Sequence, residues 1–379
     1  VIYLDHAATT PVRREVLEAM WPWLTSGFGN PSSAHDVGKV AADALTAARS
    51  SIARALGARA SEIILTSGGT EGDNLAIKGI ALAAPRGRHI VTAATEHEAV
   101  LESCDYLRRF HDFEIDFVSL APDGLVTEDA LRSVLRPDTT LVSLAHGNNE
   151  IGVVQDIRTL ARIAHAVGAR MHTDAVQSAG WLDVGLDALE VDAVTVAGHK
   201  LGAPKGTGAL AVRGSVPLEP LLHGGGQERG RRSGTENVAG AVGLAAAFEL
   251  VPEARGQAAS VAAMRDSLID GILNGVPEAI LTGPRRERLP NHASFCFPGT
   301  SGEGVLLELE RHGIVSSSGS ACAAGSDEPS HVLTAIGIDP VVAQTSVRFT
   351  LDATTTAEDV REAASRTADA VATLRSLAR

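Results

Sequence analysis

Between residues 62 and 197 the chain alternates short aliphatic or β-branched runs with stretches of helical period, and this alternation restricts the fold more than any other feature. Residues 62–66, 89–93, 115–120, 140–145, 169–173 and 193–197 read as strands. Residues 71–83 (apolar at Leu75, Ile77 and Ile80), 99–110, 127–135 and 158–167 read as helices between them. Strands alternating with helices at this spacing predict an α/β fold with a largely parallel sheet covered on both faces. Ligands in such sheets bind outside the carboxyl ends of the strands. Asp174, Asn149 and the Gly68-Gly69 turn all follow predicted strands, so they can converge on one crevice.

After Gln257 the pattern changes. A long helix with Met264, Leu268 and Ile272 precedes a strand at 293–297, a helix at 304–312, a strand at 346–351 and a terminal helix from about Thr356 to Leu377. This reads as a smaller α+β domain, and 379 residues are in any case too many for one simple core. The Gly/Ser/Ala-rich stretch 316–326 lacks bulky anchors and is expected to be a mobile loop.

A net charge of −13 with no long basic stretch argues against nucleic-acid or anionic-membrane partners; Arg229 to Arg232 and Arg285 to Arg288 are too short to read as a groove. No apolar run approaches the ~20 residues of a membrane span. The N-terminal Val1-Ile2-Tyr3-Leu4-Asp5 lacks the basic-then-apolar pattern of a signal peptide. Cys104, Cys296 and Cys322 are too few for a disulfide framework and form no CxxC pair, so a cytoplasmic enzyme without a structural metal is expected.

Four lysines stand against twenty-nine arginines, and one of them, Lys200, ends Ala197-Gly198-His199-Lys200 just after a predicted strand. Arginine stays protonated and cannot form an imine, whereas a partly buried lysine can lose its proton and attack an aldehyde. That is the anchoring chemistry of pyridoxal phosphate (PLP). The other parts of a PLP site have candidates. Asp174 suits the pyridine nitrogen, whose positive charge makes the ring an electron sink. Thr66-Ser67-Gly68-Gly69-Thr70 joins a strand to a helix and offers Gly69, Thr70 and a helix N-terminus to a phosphate, with a further hydrogen bond from His199. His97 can stack on the ring and move protons. Asn149 and Gln177 can reach the phenolic oxygen, and Arg348, on a second-domain strand, can grip a substrate carboxylate through two bonds. Cys322, in Ser-Gly-Ser-Ala-Cys, sits in a context unlike that of a packing cysteine and reads as a nucleophile, while Cys104 and Cys296 fit buried, inert roles.

Taken together, Tyr3 to Pro11, Gly29 to Ser33, Thr66 to Asn74, Thr95 to His97, Asn148 to Gln155, Asp174 to Gln177, Gly198 to Lys200, His223 to Asn237, Ser317 to Cys322 and Arg348 resemble the NifS/IscS-type cysteine desulfurases, in the class V aminotransferase group of fold-type I PLP enzymes. Ser-Ser-Gly-Ser-Ala-Cys matches the long-loop group of that family. The resemblance implies a large domain (16–250) with a mostly parallel seven-stranded sheet, and a small α+β domain (1–15 and 251–379) carrying Cys322. It implies a homodimer in which Thr235 reaches the phosphate of the neighbouring subunit's cofactor. It also implies removal of sulfur from L-cysteine to give L-alanine and a persulfide on Cys322, passed to a sulfur acceptor such as an iron–sulfur scaffold or a thiolation protein. Where the family usually has a phosphate-binding serine, this chain has Ala197. Alternative activities within the same chemistry are a selenocysteine lyase and an ordinary class V aminotransferase, the latter having no use for Cys322; a non-catalytic scaffold is disfavoured by Lys200, Asp174 and Cys322 together.

Overall fold

The computed structural model describes residues 1–319 and 328–377. Its strands are β1 (Ile2–Tyr3), β2 (Ile63–Thr66), β3 (His89–Thr92), β4 (Glu114–Phe117), β5 (Thr139–Ser143), β6 (Arg170–Asp174), β7 (Ala193–Ala197), β8 (Gly208–Val212), β9 (Ile280–Leu281), β10 (His292–Cys296), β11 (Ile314–Val315) and β12 (Ser346–Thr350). Seven of them form one sheet in the order β2-β8-β7-β6-β5-β3-β4. Strands β4, β3, β5, β6 and β7 run parallel, and β8 is antiparallel to both β7 and β2. The sheet is therefore mixed but mostly parallel, as the alternation of strand and helix predicts.

Side-chain alternation along these strands feeds two cores. Ile64, Ile90 and Leu141 face the helices Gly69–Ala83 and Glu98–His111, meeting Leu75, Ile77, Val100 and Leu107. Their neighbours Ile63, Val91 and Val142 face the opposite way, into a core shared with Ile52, Leu160 and Phe248. Those last three lie on the helices Asp36–Ala55, Ile157–Ala166 and Val238–Gly256. With both faces covered, β5, β7 and β8 are buried along their whole length.

A further core surrounds the antiparallel sheet β12-β10-β9 and the helices Ala258–Gly275 and Ala357–Leu377. Phe295, Phe297 and Phe349 anchor it, with the Phe295 ring centroid 5.9 Å from that of Phe297 and 6.3 Å from that of Phe349. The N-terminus joins this core too: β1 pairs in parallel with β11, and Leu4 is fully buried against the same cluster. The chain then passes from one core to the other through residues 5–13, which proves decisive for the site. Among the described residues, no helix is long and apolar enough to cross a membrane.

Candidate active site

A cavity of about 520 Å³ opens where the carboxyl ends of β6 and β7, the loop after β5 and the start of the helix Gly69–Ala83 meet. That size suits one cofactor-sized ligand. Gly69, Thr70, His97, Asn149, Asp174, Gln177, His199, Lys200 and Arg348 all line it, although they come from distant parts of the sequence. Two of the expected site residues are not among them. Thr235 is exposed and borders a separate pocket with Thr66, Ser67, Glu228 and Arg232, on the other flank of the Ser67–Gly69 turn. Cys322, with the rest of 320–327, lies outside the described residues.

Lys200 ends a 3₁₀ turn that follows β7 directly. Its Nζ donates to the carbonyl of Ala7 and to that of Ala8, the latter at 2.7 Å. Gln177 Nε2 donates to the Ala7 carbonyl as well, at 3.0 Å. The neighbouring His199 is held by the same N-terminal segment, with Nδ1 3.2 Å from Thr9 Oγ1 and its carbonyl accepting from Thr10. Burial, reinforced by the charges of Lys200 and Lys205, pushes the His199 imidazole down to about 4, so it is neutral near pH 7.

Asp174 closes β6 and is 8% exposed. Its Oδ1 accepts the Val176 N–H at 2.8 Å. Burial raises its pKa, and the Val176 bond and the charges of His97 and Lys200 pull it only partly back. Two more carboxyl groups share this wall. Glu96 takes the Ala145 N–H on Oε1 while Oε2 is buried without a partner, and burial together with the Asp174 charge pushes it up to about 8. Asp73 is also buried, with Oδ1 unpartnered, and burial and Asp174 raise it well above the usual carboxylate range. His172 lies 3.7 Å from Asp73, but burial pushes its imidazole down to about 3 and its nitrogens bond Ser143 and Thr195. The His172 ring is therefore neutral, and the contact brings no positive charge to the wall.

His97 caps the helix Glu98–His111 by accepting the Ala99 N–H on Nδ1 at 3.0 Å. With Nδ1 used as an acceptor, the neutral ring carries its proton on Nε2. At the opposite corner the helix Gly69–Ala83 begins after Gly68, which provides no side-chain cap. Its first-turn N–H groups thus stay available to an anion. A Cβ added at 69 would come 2.8 Å from Val176 Cγ2, so any larger residue there requires Val176 to shift. Glu71, in that first turn, would repel a phosphate, but Arg232 Nε holds it at 2.8 Å and the Ser67 N–H binds it too. Burial alone would raise Glu71, and these two partners outweigh it, leaving it below its ordinary value.

Arg348, at the centre of β12, is 1% exposed. Its Nη2 pairs with Asp5 Oδ1 at 2.7 Å, and Nη1 donates to the carbonyls of Asn149 and Gly319 at 2.8 and 3.0 Å. The Asn149 carbonyl also accepts from His292 Nε2.

These groups fit PLP. A buried carboxyl wall that resists ionisation when nothing faces it is what a pyridinium N–H would stabilise, and an uncapped, Gly-lined helix start suits the phosphate. Ala197, 2% exposed on the cavity wall, offers no hydroxyl there. Sequence reasoning did not assign roles to Asp5, Ala7, Ala8, Asp73 or Glu96. Among the described residues no cluster of His, Cys, Asp and Glu has a metal-binding arrangement.

The family model for aminotransferase class-V matches residues 2–362. The chain is 46% identical over 361 residues to "Cysteine desulfurase IscS" of Dictyoglomus turgidum, covering 95% of this chain and 91% of that one. It is 45% identical over 360 residues to "Cysteine desulfurase" of Cereibacter sphaeroides, covering 95% and 92%. Among solved structures it is similar to a NifS-like protein (TM-score 0.91, 37% identity, 98% and 100% covered) and to SspA in complex with cysteine (TM-score 0.81, 36% identity, 94% and 100% covered).

Proposed function

The chain belongs to the aminotransferase class-V family and is a cysteine desulfurase, and from that premise we propose that it uses PLP held at Lys200 to take sulfur from L-cysteine and load it on Cys322. The convergence of Lys200, Asp174 and His97 on one cavity from three separate strand ends supports this reading most strongly.

In this assignment Lys200 anchors the cofactor aldehyde, Asp174 faces the pyridine nitrogen and His97 covers the ring. Asn149 and Gln177 flank the phenolic oxygen. Gly69, Thr70 and His199 hold the phosphate, and Thr235 joins them from a second copy of the chain. When bound, PLP supplies the electron sink that makes the substrate Cα–H acidic and the sulfur a leaving group. Arg348 grips the substrate carboxylate. Lys200, once its amine is free, takes the Cα proton. His97 handles the thiol proton, which requires the Ala99 N–H to release Nδ1, since Nε2 of the neutral ring already carries a proton. Cys322 attacks the substrate sulfur as thiolate: an S–S bond forms, the C–S bond breaks with its electron pair passing to the substrate, a proton is taken up at Cβ and one is returned to Cα, and alanine leaves. The persulfide is then passed to an acceptor protein, an iron–sulfur scaffold or a thiolation protein.

A homodimer is part of the proposal. Leu17, Trp21, Leu24 and Phe28 are 52–76% exposed on one short stretch, and Val37 and Val40 of the following helix are about half exposed. The backbone of Gly29 packs closely on Val37, which joins the two groups into one apolar face suited to a second copy. A cytoplasmic location accords with the free thiols of Cys104 and Cys296.

Incubation of the PLP-loaded protein with L-cysteine tests the activity. One alanine should appear per sulfur released or transferred, with no keto-acid required. Alanine formation that depends on a keto-acid would instead mark an aminotransferase.

A further inference from the structure

We propose that Asp5 is the positioning residue for the substrate-carboxylate clamp, fixing the Arg348 guanidinium so that one edge of its fork is left for L-cysteine. This rests on the assignment of Arg348 as that clamp.

A guanidinium has five N–H groups in a rigid plane. Arg348 spends three of them within the protein: two from Nη1 on the Asn149 and Gly319 carbonyls, one from Nη2 on Asp5. The remaining two are on Nε and Nη2. Nε is buried with no partner. Nε and Nη2 lie on the same edge of the fork, the edge that can offer a carboxylate two parallel bonds, and Asp5 holds that edge at Nη2. The three bonds already made therefore decide which edge is offered.

Asp5 makes the only charged one of the three. Arg348 is 1% exposed, and without a counter-charge its burial would be costly. The position of Asp5 is itself fixed. Leu4 is packed in the core beside β12, its carbonyl accepts the Thr350 N–H at 2.7 Å, and the Ala7 N–H donates to Thr350 Oγ1 at 2.8 Å. Two residues further on, Ala7 and Ala8 present their carbonyls to Lys200. One short segment thus sets the carboxylate clamp at one end and contacts the anchoring lysine at the other. This fixes the reach between the substrate's carboxylate and its reacting carbon.

The test is steady-state kinetics of the PLP-loaded protein with L-cysteine, with cofactor content and Tm measured alongside. Asp5→Ala should raise KM roughly ten-fold or more with kcat changed far less, because orientation of a binding group is lost while the reacting groups stay. Asp5→Asn keeps an acceptor oxygen and should recover most of the loss. Spectral titration with L-alanine, which carries the carboxylate but no sulfur, should weaken in parallel. A KM that is unchanged or lower in Asp5→Ala overturns the proposal, the lower value meaning that Asp5 competes with substrate. Arg348→Ala separates the two claims. If it leaves KM unaltered, the clamp assignment itself fails; if it raises KM while Asp5→Ala does not, only the role of Asp5 fails. Should Asp5→Ala lower Tm enough to obscure kinetics, Asp5→Asn alone remains decisive at the level of L-alanine affinity, which must not exceed that of the parent.

Discussion

Lys200 Nζ lies 2.7 Å from the carbonyl oxygen of Ala8 and bonds the Ala7 carbonyl as well. Carbonyl oxygens only accept, so the Lys200 amine donates both bonds, and they hold the side chain against the N-terminal segment. Attack on an aldehyde requires these contacts to loosen. The N-terminal segment is consequently part of the site, joined to it across some 190 residues of sequence.

Borohydride reduction of the PLP-loaded protein should leave the cofactor covalently on the peptide containing Lys200. Lys39, Lys78 and Lys205 lie outside the cavity lining, and Lys78 is already engaged by Asn74 and the Tyr106 ring. Lys200→Ala should lower kcat by at least about 10³-fold through loss of the proton-transfer group. Peptide mapping that finds the adduct elsewhere removes the anchoring role.

The carboxyl wall has a pH signature in the cofactor-free protein. Glu96 is pushed up to about 8 in the folded state, against an ordinary value near 4.5. Its stability contribution is fully present below the unfolded value and is lost as pH rises through the folded one, because ionising the buried group then opposes folding. The stability of the cofactor-free protein should fall between about pH 4.5 and pH 8, by on the order of 4 kcal/mol from Glu96. Glu96→Gln should flatten that slope in denaturant titrations. An unchanged slope would show that Glu96 stays ionised, compensated by a neighbour.

Asp174→Ala should cost at least about 100-fold in kcat with L-cysteine, since the electron sink depends on a charged pyridine nitrogen. Glu18→Ala, an exposed helical carboxylate paired only with Arg14, is the control and should leave kcat unchanged. Comparable rates for both variants would reduce Asp174 to a turn-stabilising residue bonded to Val176.

The parts of this site that sequence reasoning reached share one property. Lys200, Asp174 and the Gly68-Gly69 turn each directly follow a strand whose residue pattern announces it, so their convergence follows from sheet topology. Asp5, Ala7 and Ala8 follow no such rule. Ala7 and Ala8 act through backbone carbonyls, which every residue possesses, and Asp5 acts through a partner 343 positions away. Glu96 and Asp73 look like ordinary helix-start and helical carboxylates; only packing reveals that they are buried. Similarly, the run Gly208–Val212 has no polar alternation, because β8 is covered on both faces between β2 and β7, and that insertion is invisible from chain order.

The thiols should separate cleanly. Burial pushes Cys104 and Cys296 up to about 12, so neither carries appreciable thiolate near neutral pH. Iodoacetamide at pH 8 should label Cys322 alone, and Cys322→Ala should abolish persulfide formation while leaving the cofactor spectrum intact. Replacing Cys104 and Cys296 by alanine should retain sulfur transfer, with a stability loss as the main effect. Full transfer by Cys322→Ala would move the nucleophile's role to one of the buried thiols.

Thr235→Val should loosen PLP while barely changing monomer stability. The segment 224–235 is polar and glycine-rich, and its closely spaced arginines would repel one another without carboxylates or other acceptors opposite them. Within the chain Arg232 meets Glu71, while Glu228 of the same segment is taken by Arg49 in a bidentate contact. Arg229 and Arg231 bond the carbonyls of Ile63 and Ser61. All three arginines thus have acceptors in their own chain, and the case for a partner subunit is argued from the exposed Leu17–Phe28 face and from Thr235. That threonine is exposed and outside the lining of the cavity, yet carried on a segment tied to the helix Gly69–Ala83 through Arg232 and Glu71. Among the described residues its hydroxyl has no partner, and the resemblance places Ala197 where the family usually has a phosphate-binding serine. A second copy that brings Thr235 to this phosphate meets both conditions. Cofactor release on dilution should then follow dimer dissociation, because PLP is bound by groups from both copies. Trp21→Asp, placed on the exposed apolar face, should produce monomers that lose PLP in the same way as Thr235→Val. A Trp21→Asp monomer that keeps its cofactor and full activity would overturn the shared-site reading.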